Sequence, residues 1–280
     1  MTFMAVHELG FHPMISPHNI EKQIENLDAW VALIDKYHGH RPPMRNFGML
    51  MQLETREHGW TDEKIIHYLK WLKHLIDIDL NKYFEGNKYY FEKYLNNHTD
   101  QNEILRELGS SEINNLRPYL PYKINSNTTD GALGCSLGRN LIVRVGDLAI
   151  IPCHRTCYPK FILGYYQVDD GRITDIICEN YSLANGIYVT GFTTKPFCYE
   201  CALNYCCVKY CCGANYEQNQ ELFYPEESNC ELQKAKMVFL YNYYKALGID
   251  AETVTSVFPR LRQTEPEVVA KWNTIIQSII

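Results

Sequence analysis

The chain lacks the features of a membrane, secreted or nucleic-acid-binding protein. No stretch of its 280 residues approaches the about 20 apolar residues that a membrane-spanning helix needs. The N-terminus shows no basic region followed by an apolar run and a small-residue cleavage site. Basic charge is not in excess either, because the formal net charge is −6. These absences predict a cytoplasmic protein with neither membrane nor nucleic acid as a partner.

Cysteine is missing from residues 1–134 and 231–280, and all eleven cysteines fall between Cys135 and Cys230. Such a distribution indicates a separate cysteine-rich module. A reducing compartment favours metal sites or thiols over disulfides. Eleven is also an odd number, so complete intramolecular pairing is excluded. A disulfide scaffold is therefore the less favoured interpretation.

The first 78 residues alternate between strand and helix patterns, which predicts an α/β fold. Residues 2–15 and 47–54 are predicted strands, and apolar residues at helical spacing from Asn19 to Tyr37 predict a helix between them. Thr61 opens a second helix, with Lys64 at the position where a capping box has an acidic residue. Strands that alternate with helices of this length indicate βαβ units and a parallel sheet.

The remaining segments outside the cysteine module are predicted to be helical or linking. Residues 79–130 are polar and aromatic, and they are interpreted as a short helical connector and linker. The run ELQKAKMVFLYNYYKALGI after the module predicts a helix packed on it. EPEVVAKWNTIIQSII predicts a terminal amphipathic helix.

The strongest chemical signal is CYECALNYCCVKYCC. Within it, four cysteines fit the pattern Cys-x2-Cys-x5-Cys-x3-Cys: Cys198, Cys201, Cys207 and Cys211. Cys230 follows as a later single cysteine. Thiolates at such short separations converge on one centre when a tight loop brings them to the same side. They are soft ligands, suited to zinc, copper(I) or iron–sulfur clusters.

A second pair of cysteines lies upstream, at the two ends of an apolar segment. Cys135 and Cys153 flank this segment, and Gly146 and Asp147 mark the turn of a predicted β-hairpin inside it. A zinc knuckle has no need of such an element. With it, the chain resembles the SPASM domain of radical S-adenosylmethionine (SAM) enzymes, the group that includes sulfatase-maturing enzymes and peptide maturases.

The resemblance implies two auxiliary [4Fe-4S] clusters. One would be held by Cys198, Cys201, Cys207 and Cys230, and the other by Cys135, Cys153 and Cys211. Cys157 is the nearest candidate for the fourth ligand of the latter cluster, and an open iron that meets substrate is the alternative. The other cysteines are expected to be small packing residues: Cys178, Cys206 and Cys212.

The N-terminal part has a resemblance of its own. FMAVHELGFHPMISPHNIEKQIENLDAWV and QLETREHGWTDEKII look like late strand–helix units of a radical SAM barrel. Enzymes of this kind begin with Cys-x3-Cys-x2-Cys, which holds the cluster that binds and cleaves SAM. That motif is missing here. The resemblance then implies a truncated gene product, one piece of a split gene, or a partner of a companion chain that supplies the N-terminal half of the barrel and with it SAM.

Together these patterns predict four regions: residues 1–78 as part of a (β/α) radical SAM barrel, 79–130 as a connector, 131–235 as a SPASM-like domain, and 236–280 as C-terminal helices. The expected function is the auxiliary-cluster part of an oxidoreductase that modifies a peptide or protein, inactive alone. One alternative is a zinc-stabilised binding module without catalytic activity. Another is a fragment that cannot fold without a partner.

Overall fold

The structure, a computed structural model, describes residues 15–38, 59–96, 141–189, 198, 200–204, 206–207 and 212–280. The chain divides into two compact units. The described residues of unit 1 lie between 15 and 96 and between 227 and 280, and those of unit 2 lie between 141 and 226. The described fold is mixed α/β, with many helices and one four-stranded antiparallel sheet.

The described part of unit 1 has two short helices where the sequence predicts one. Helix α1 spans Ile20–Glu25 and helix α2 spans Leu27–His38. The break falls at Asn26, whose side-chain Nδ2 donates to the carbonyl of Lys22 at 2.7 Å. Asparagine competes in this way with the helical backbone, which explains the interruption.

The helix predicted at Thr61 is confirmed. Helix α3 spans Asp62–Ile78, and the Thr61 hydroxyl accepts a hydrogen bond from the backbone N–H of Lys64 at 3.3 Å. This bond satisfies one of the orphan N–H groups of the first turn. One face of α3 is buried: Ile65, Tyr68, Leu69, Trp71, Leu72, Leu75 and Ile76.

Within the segment interpreted as a connector, the described residues continue unit 1. A π-helical turn at Asp79–Tyr83 extends α3, and helix α4 follows at Lys88–Asn96. Phe84 and Phe91 are fully buried and meet edge to face, with ring centroids 5.1 Å apart. Phe84, Phe91 and Tyr94 are therefore part of the core of unit 1, whereas Tyr89 is exposed.

Three C-terminal helices complete unit 1. Helix α7 spans Glu227–Leu247, helix α8 spans Glu252–Thr264 and helix α9 spans Pro266–Ile276. Helices α7 and α9 confirm that the two predicted segments are helical, although α7 begins four residues earlier than predicted. Helix α7 belongs to unit 1, and its predicted packing on the cysteine module stays a prediction. Helix α8 was not predicted, and it contains Pro259 in its interior.

Unit 2 contains the sheet, in the order β1-β2-β3-β4. Strands β1 and β2, Ile142–Arg144 and Ala149–Ile151, pair antiparallel, with Val143 opposite Ile150. This confirms the predicted hairpin and its turn at Gly146 and Asp147. The residue with a left-handed backbone in that turn is Leu148, at φ +59°.

A second hairpin, which was not predicted, follows the first. Strand β3 spans Gly164–Asp169 and strand β4 spans Arg172–Cys178. They are joined by Asp170 and Gly171, both with positive φ, as a tight hairpin turn requires. Unit 2 also contains a 3-10 turn at Pro159–Phe161 and two helices, α5 at Tyr181–Val189 and α6 at Cys212–Asn219.

The predicted barrel is not shown by this structure. The described sheet lies at residues 142–178, outside the region of the predicted barrel, and its three strand pairs are antiparallel, whereas a barrel of βαβ units has parallel ones. The strands predicted at 2–15 and 47–54 lie outside the described residues, apart from Ile15. Within the described ranges, no helix has the length and apolar character to cross a bilayer.

Candidate thiolate site

Five of the seven predicted ligands lie in described parts of the chain. Cys153, Cys198, Cys201 and Cys207 belong to unit 2, and Cys230 belongs to unit 1, on helix α7. Cys135 and Cys211 lie outside the described residues. No disulfide joins any of the nine cysteines that the structure describes. The described sulfurs are thus thiols, the form from which metal ligands are made.

The segment from Cys201 to Cys207 is a succession of tight turns. The carbonyl of Cys201 accepts a hydrogen bond from the N–H of Asn204 at 3.0 Å. The carbonyl of Leu203 accepts from the N–H groups of both Cys206 and Cys207, at 3.0 and 2.9 Å. These hydrogen bonds span three or four residues, as in tight turns, and involve the backbone of Cys201, Cys206 and Cys207.

This turn segment is largely closed to solvent at its start. Cys198 is 7% exposed, and Ala202 and Leu203 are each 3% exposed. Asn204 is also buried, and its side-chain Oδ1 has no hydrogen-bond partner among the described residues. A buried amide without a partner is costly unless another group completes its hydrogen bonding.

A second turn carries Cys153 and Cys157. The carbonyl of Cys153 accepts hydrogen bonds from both the N–H and the hydroxyl of Thr156, each at 2.9 Å. The Cys157 thiol donates to the carbonyl of His154 at 3.0 Å. His154 Nδ1 lies 3.8 Å from the Cys153 sulfur. The turn therefore places two thiols and one imidazole within five residues.

Helix α6 holds the Cys153–Cys157 turn in place. A Cβ on Gly213 would lie 2.5 Å from the Cβ of Arg155, so only glycine allows this approach. The Arg155 guanidinium forms an ion pair with Glu217 at 3.2 Å. Lys160 lies over the ring of Tyr216, with its Nζ 3.8 Å from the centroid. Steric fit, charge and a cation–π contact act together here.

An apolar cluster underlies this docking. Cys153 packs against a group of buried side chains: Phe161, Ile187, Cys212, Tyr216, Leu222 and Phe223. Cys212 is 1% exposed and is a member of the cluster. The fold thus brings Cys153 and Cys212, which are distant in sequence, to one core, and Cys211 precedes Cys212 in the chain.

The turn of the first hairpin is fixed by charge and reaches the same segment. Arg144 forms a short ion pair with Asp147 and donates to the carbonyl of Cys157 at 3.3 Å. The hydrogen bond from Arg144 lowers the pKa of Asp147 to about 2, and the backbone N–H of Ala149 assists it. Asp147 stays ionised, so this link persists at neutral pH.

The described side chains do not form a ready-made metal centre. Within the described ranges, no group of three or more histidine, cysteine, aspartate or glutamate side chains is arranged to hold a metal ion. Two predicted ligands lie outside those ranges, so the predicted ligand sets stay predictions. Sequence reasoning missed Asn204 and Glu217, because neither belongs to a motif.

Comparison with known proteins adds no family to this geometry. No protein-family model, no curated protein and no solved structure matches the chain. The function is therefore inferred from the cysteines and the residues around them.

Proposed function

We propose that the cysteines of this chain bind two [4Fe-4S] clusters and that the chain is the auxiliary-cluster part of a radical SAM enzyme with a SPASM domain, acting on a peptide or protein. One observation supports the proposal: the three described cysteines of the Cys-x2-Cys-x5-Cys-x3-Cys pattern, Cys198, Cys201 and Cys207, form no disulfide, and turn hydrogen bonds involve the backbone of Cys201 and Cys207. When bound, such clusters supply one-electron transfer.

The donor chemistry of the described residues fits such a group. Cysteine thiolates are the usual ligands of iron–sulfur clusters. The buried amide of Asn204, within three residues of Cys201 and Cys207, is suited to donate to a cluster sulfur once its side chain is turned, because the amide oxygen and nitrogen are nearly interchangeable. The turned amide would then place its nitrogen, a donor, where the oxygen of Asn204 now lacks a partner among the described residues, and a cluster sulfur would accept from it.

In this proposal cluster binding is coupled to local ordering of the thiolate segment. Metal-binding segments commonly gather their ligands only when the metal arrives. In this proposal the 198–207 turns rearrange to bring their thiolates together. The Cys153 turn keeps its position, because Arg155, Lys160 and the apolar cluster hold it on α6.

We also propose that residues 1–78 correspond to late units of a radical SAM barrel. The sequence contains no Cys-x3-Cys-x2-Cys motif, so SAM cleavage would need a companion chain. Incubation of the purified chain with SAM and dithionite is expected to give no cleavage. SAM cleavage by the chain alone would contradict this part of the proposal.

Cluster binding is tested by anaerobic reconstitution with iron and sulfide. We expect about eight iron and eight sulfide per chain and absorbance at about 400 nm, as two four-iron clusters require. Cys207→Ala is expected to lose about four of the iron atoms, because it removes a predicted ligand. Cys206→Ala is the matched control, since Cys206 lies on the same turn but outside the predicted ligand set, and it should keep the wild-type content.

The same measurement separates the alternatives. One or two zinc ions per chain without sulfide would reject the proposal and favour a zinc-stabilised binding module, whose folding a chelator would reverse. Equal iron loss in Cys206→Ala and Cys207→Ala would show that the predicted ligand assignment is wrong.

A further inference from the structure

Strand β4 differs from the other strands of the sheet by its exposure. Six of its seven residues are exposed on both faces, from Arg172 to Ile177. Ile173 is 63% exposed and Ile176 is 56% exposed. Among the described strands, β4 is one of the two outer strands and pairs only with β3; the other, β1, has three residues against the seven of β4. An outer strand with bare isoleucines can pair with another chain.

A cavity lies at the C-terminal end of this strand. It has a volume of about 360 Å³, and its described lining is mostly apolar: Ile150, Leu163, Ile176, Cys178, Ala184 and Ile187. Helix α5 supplies one side of the lining and the sheet supplies the other. The cavity is large enough for one or two large apolar side chains, and Cys178 is part of its lining.

The charge around β4 has one dominant sign. Asp169, Asp170, Asp175 and Glu179 are exposed, against one cation, Arg172. None of these carboxylates forms an ion pair with another described residue. A segment with lysine or arginine between its apolar residues is therefore complementary to this strand. A second copy of β4 is less complementary, since each copy brings four carboxylates for one cation and the two copies would repel each other.

One backbone group of β4 supports pairing on the outer side. The N–H of Ile176 donates to the Oδ1 of Asp175 at 2.8 Å, its own neighbour, in an exposed bond. The Ile176 N–H thus has a local acceptor, which a backbone carbonyl of an added strand can replace. It also releases the Asp175 carboxylate to meet a basic side chain.

We infer that β4 is a docking edge for an extended peptide segment in which basic and apolar residues alternate. The segment adds to the sheet as a fifth strand and places an apolar side chain in the cavity beside Cys178. Backbone bonds provide affinity in this mode, and the cavity and carboxylates provide selectivity. The inference goes beyond cluster binding and is independent of it, because none of the predicted cluster ligands belongs to the strands of the sheet or to helix α5.

The test uses the full chain without iron and a fluorescent peptide as long as β4, seven residues that alternate lysine and valine with leucine at the centre. Fluorescence anisotropy is expected to show about tenfold tighter binding than for the same peptide with glutamate in place of lysine. N-methylation of the valines should also weaken binding about tenfold, because it removes ladder donors.

Two protein variants address the strand itself. Asp175→Lys is expected to weaken the lysine peptide and to strengthen the glutamate peptide, each about threefold or more. This reversal of preference distinguishes docking from loss of folding, because a misfolded variant would lose both peptides. Ile176→Pro removes the Ile176 N–H at a position where proline is tolerated on an edge, and it should weaken both.

Thiol labelling tests the cavity. Saturating lysine peptide is expected to slow the reaction of Cys178 with N-cyclohexylmaleimide about tenfold, because the docked side chain covers the thiol. The exposed thiol of Cys157 is the internal control and should react at an unchanged rate. Both rates are read from the same digest by mass spectrometry.

Three outcomes would overturn the inference. Equal binding of the lysine, glutamate and N-methylated peptides would show that neither the charges nor the ladder selects the ligand. Unchanged labelling of Cys178 under saturating peptide would show that the cavity is not filled. A dimer in sedimentation that Ile176→Pro dissociates would show that a second copy of the chain occupies the edge.

Discussion

The two units bury their side chains very differently. The largest fully buried side chains among the described residues all belong to unit 1: Trp71, Trp272, Tyr68, Tyr94, Tyr244, Phe84, Phe91, Phe239 and Ile15. Unit 2 contributes none of them. Its apolar cluster is small, and strand β4 is exposed along nearly its whole length.

The two units are therefore stabilised in different ways. Unit 1 has the apolar core that a helical domain needs to fold by itself. The described part of unit 2 contains turns, ion pairs and a small apolar cluster, and proteins of that kind commonly gain stability from a bound metal or a partner. The abundance of thiols in unit 2 and the cavity beside β4 are consistent with those two sources.

The largest expected effect is the loss of stability when the core of unit 1 is disrupted. Trp272→Ala should lower the free energy of unfolding by about 3–5 kcal/mol, because Trp272 is fully buried on α9 and its removal leaves a cavity. Denaturant unfolding followed by helical circular dichroism measures the loss. Tyr89→Ala is the control, since Tyr89 is 68% exposed, and it should stay within about 0.5 kcal/mol of wild type.

Backbone amide exchange in the same Trp272→Ala variant tests whether the two units are stabilised separately. If the units are stabilised separately, the amides of β1 to β4 keep their protection while those of α3 and α7 lose it. Equal loss of protection in both units would contradict the separation.

The next effect concerns the sheet of unit 2. Gly164→Ala should destabilise β3–β4 by about 1–3 kcal/mol, because the added Cβ would overlap the carbonyl oxygen of Ile177. Cross-strand proton contacts between Tyr165 and Ile177 report the loss by nuclear magnetic resonance. Gly146→Ala is the matched control, since a Cβ added at Gly146 would meet no atom within 4 Å, and the sheet should be unaffected.

A smaller, stabilising effect is expected at the end of α6. Gln220→Gly should raise the stability of unit 2 by about 1 kcal/mol, because Gln220 has φ +59°, a conformation that costs side-chain-bearing residues but not glycine. Thermal unfolding monitored at the unit 2 tyrosines checks this shift. Gln220→Ala keeps the strained Cβ and should give no such gain.

The smallest effect is a pH dependence in the first hairpin. Arg144 lowers the pKa of Asp147 from an ordinary value near 3.8 to about 2. A lowered folded-state pKa gives a stabilising contribution that is present above the ordinary value and is lost as pH falls toward 2. A carboxyl-carbon titration of Asp147 should show the low midpoint, and Arg144→Gln should return it upward. An unchanged midpoint in that variant would show that Arg144 is not the cause.

Local patterns in the sequence predicted several elements correctly. The start of α3 at Thr61 and the turn of the first hairpin follow from residues within four positions of each other. The second hairpin was missed because β4 reads RITDIIC, apolar on both faces without the alternation of a half-buried strand. Helix α8 was missed because proline in its interior normally argues against a helix.

The candidate site was predictable only in its chemistry. The spacing of the cysteines identifies soft ligands. The position of the Cys153–Cys157 turn, however, depends on the ion pair between Arg155 and Glu217, which are 62 residues apart, and on Gly213, whose missing side chain allows the turn to approach α6. Asn204 lies inside the motif, yet its burial and its partnerless oxygen among the described atoms have no signature in the sequence.

By itself, the sequence determined the cap of α3 at Thr61, the first hairpin turn and the spacing of the thiols, because each depends on neighbouring residues in the chain. Only the tertiary structure decided that the large aromatic residues gather in unit 1, that the Cys153 turn docks on α6, and that β4 stays bare beside a cavity. These features depend on contacts between residues far apart in sequence, and local patterns contain no information about which distant segments meet.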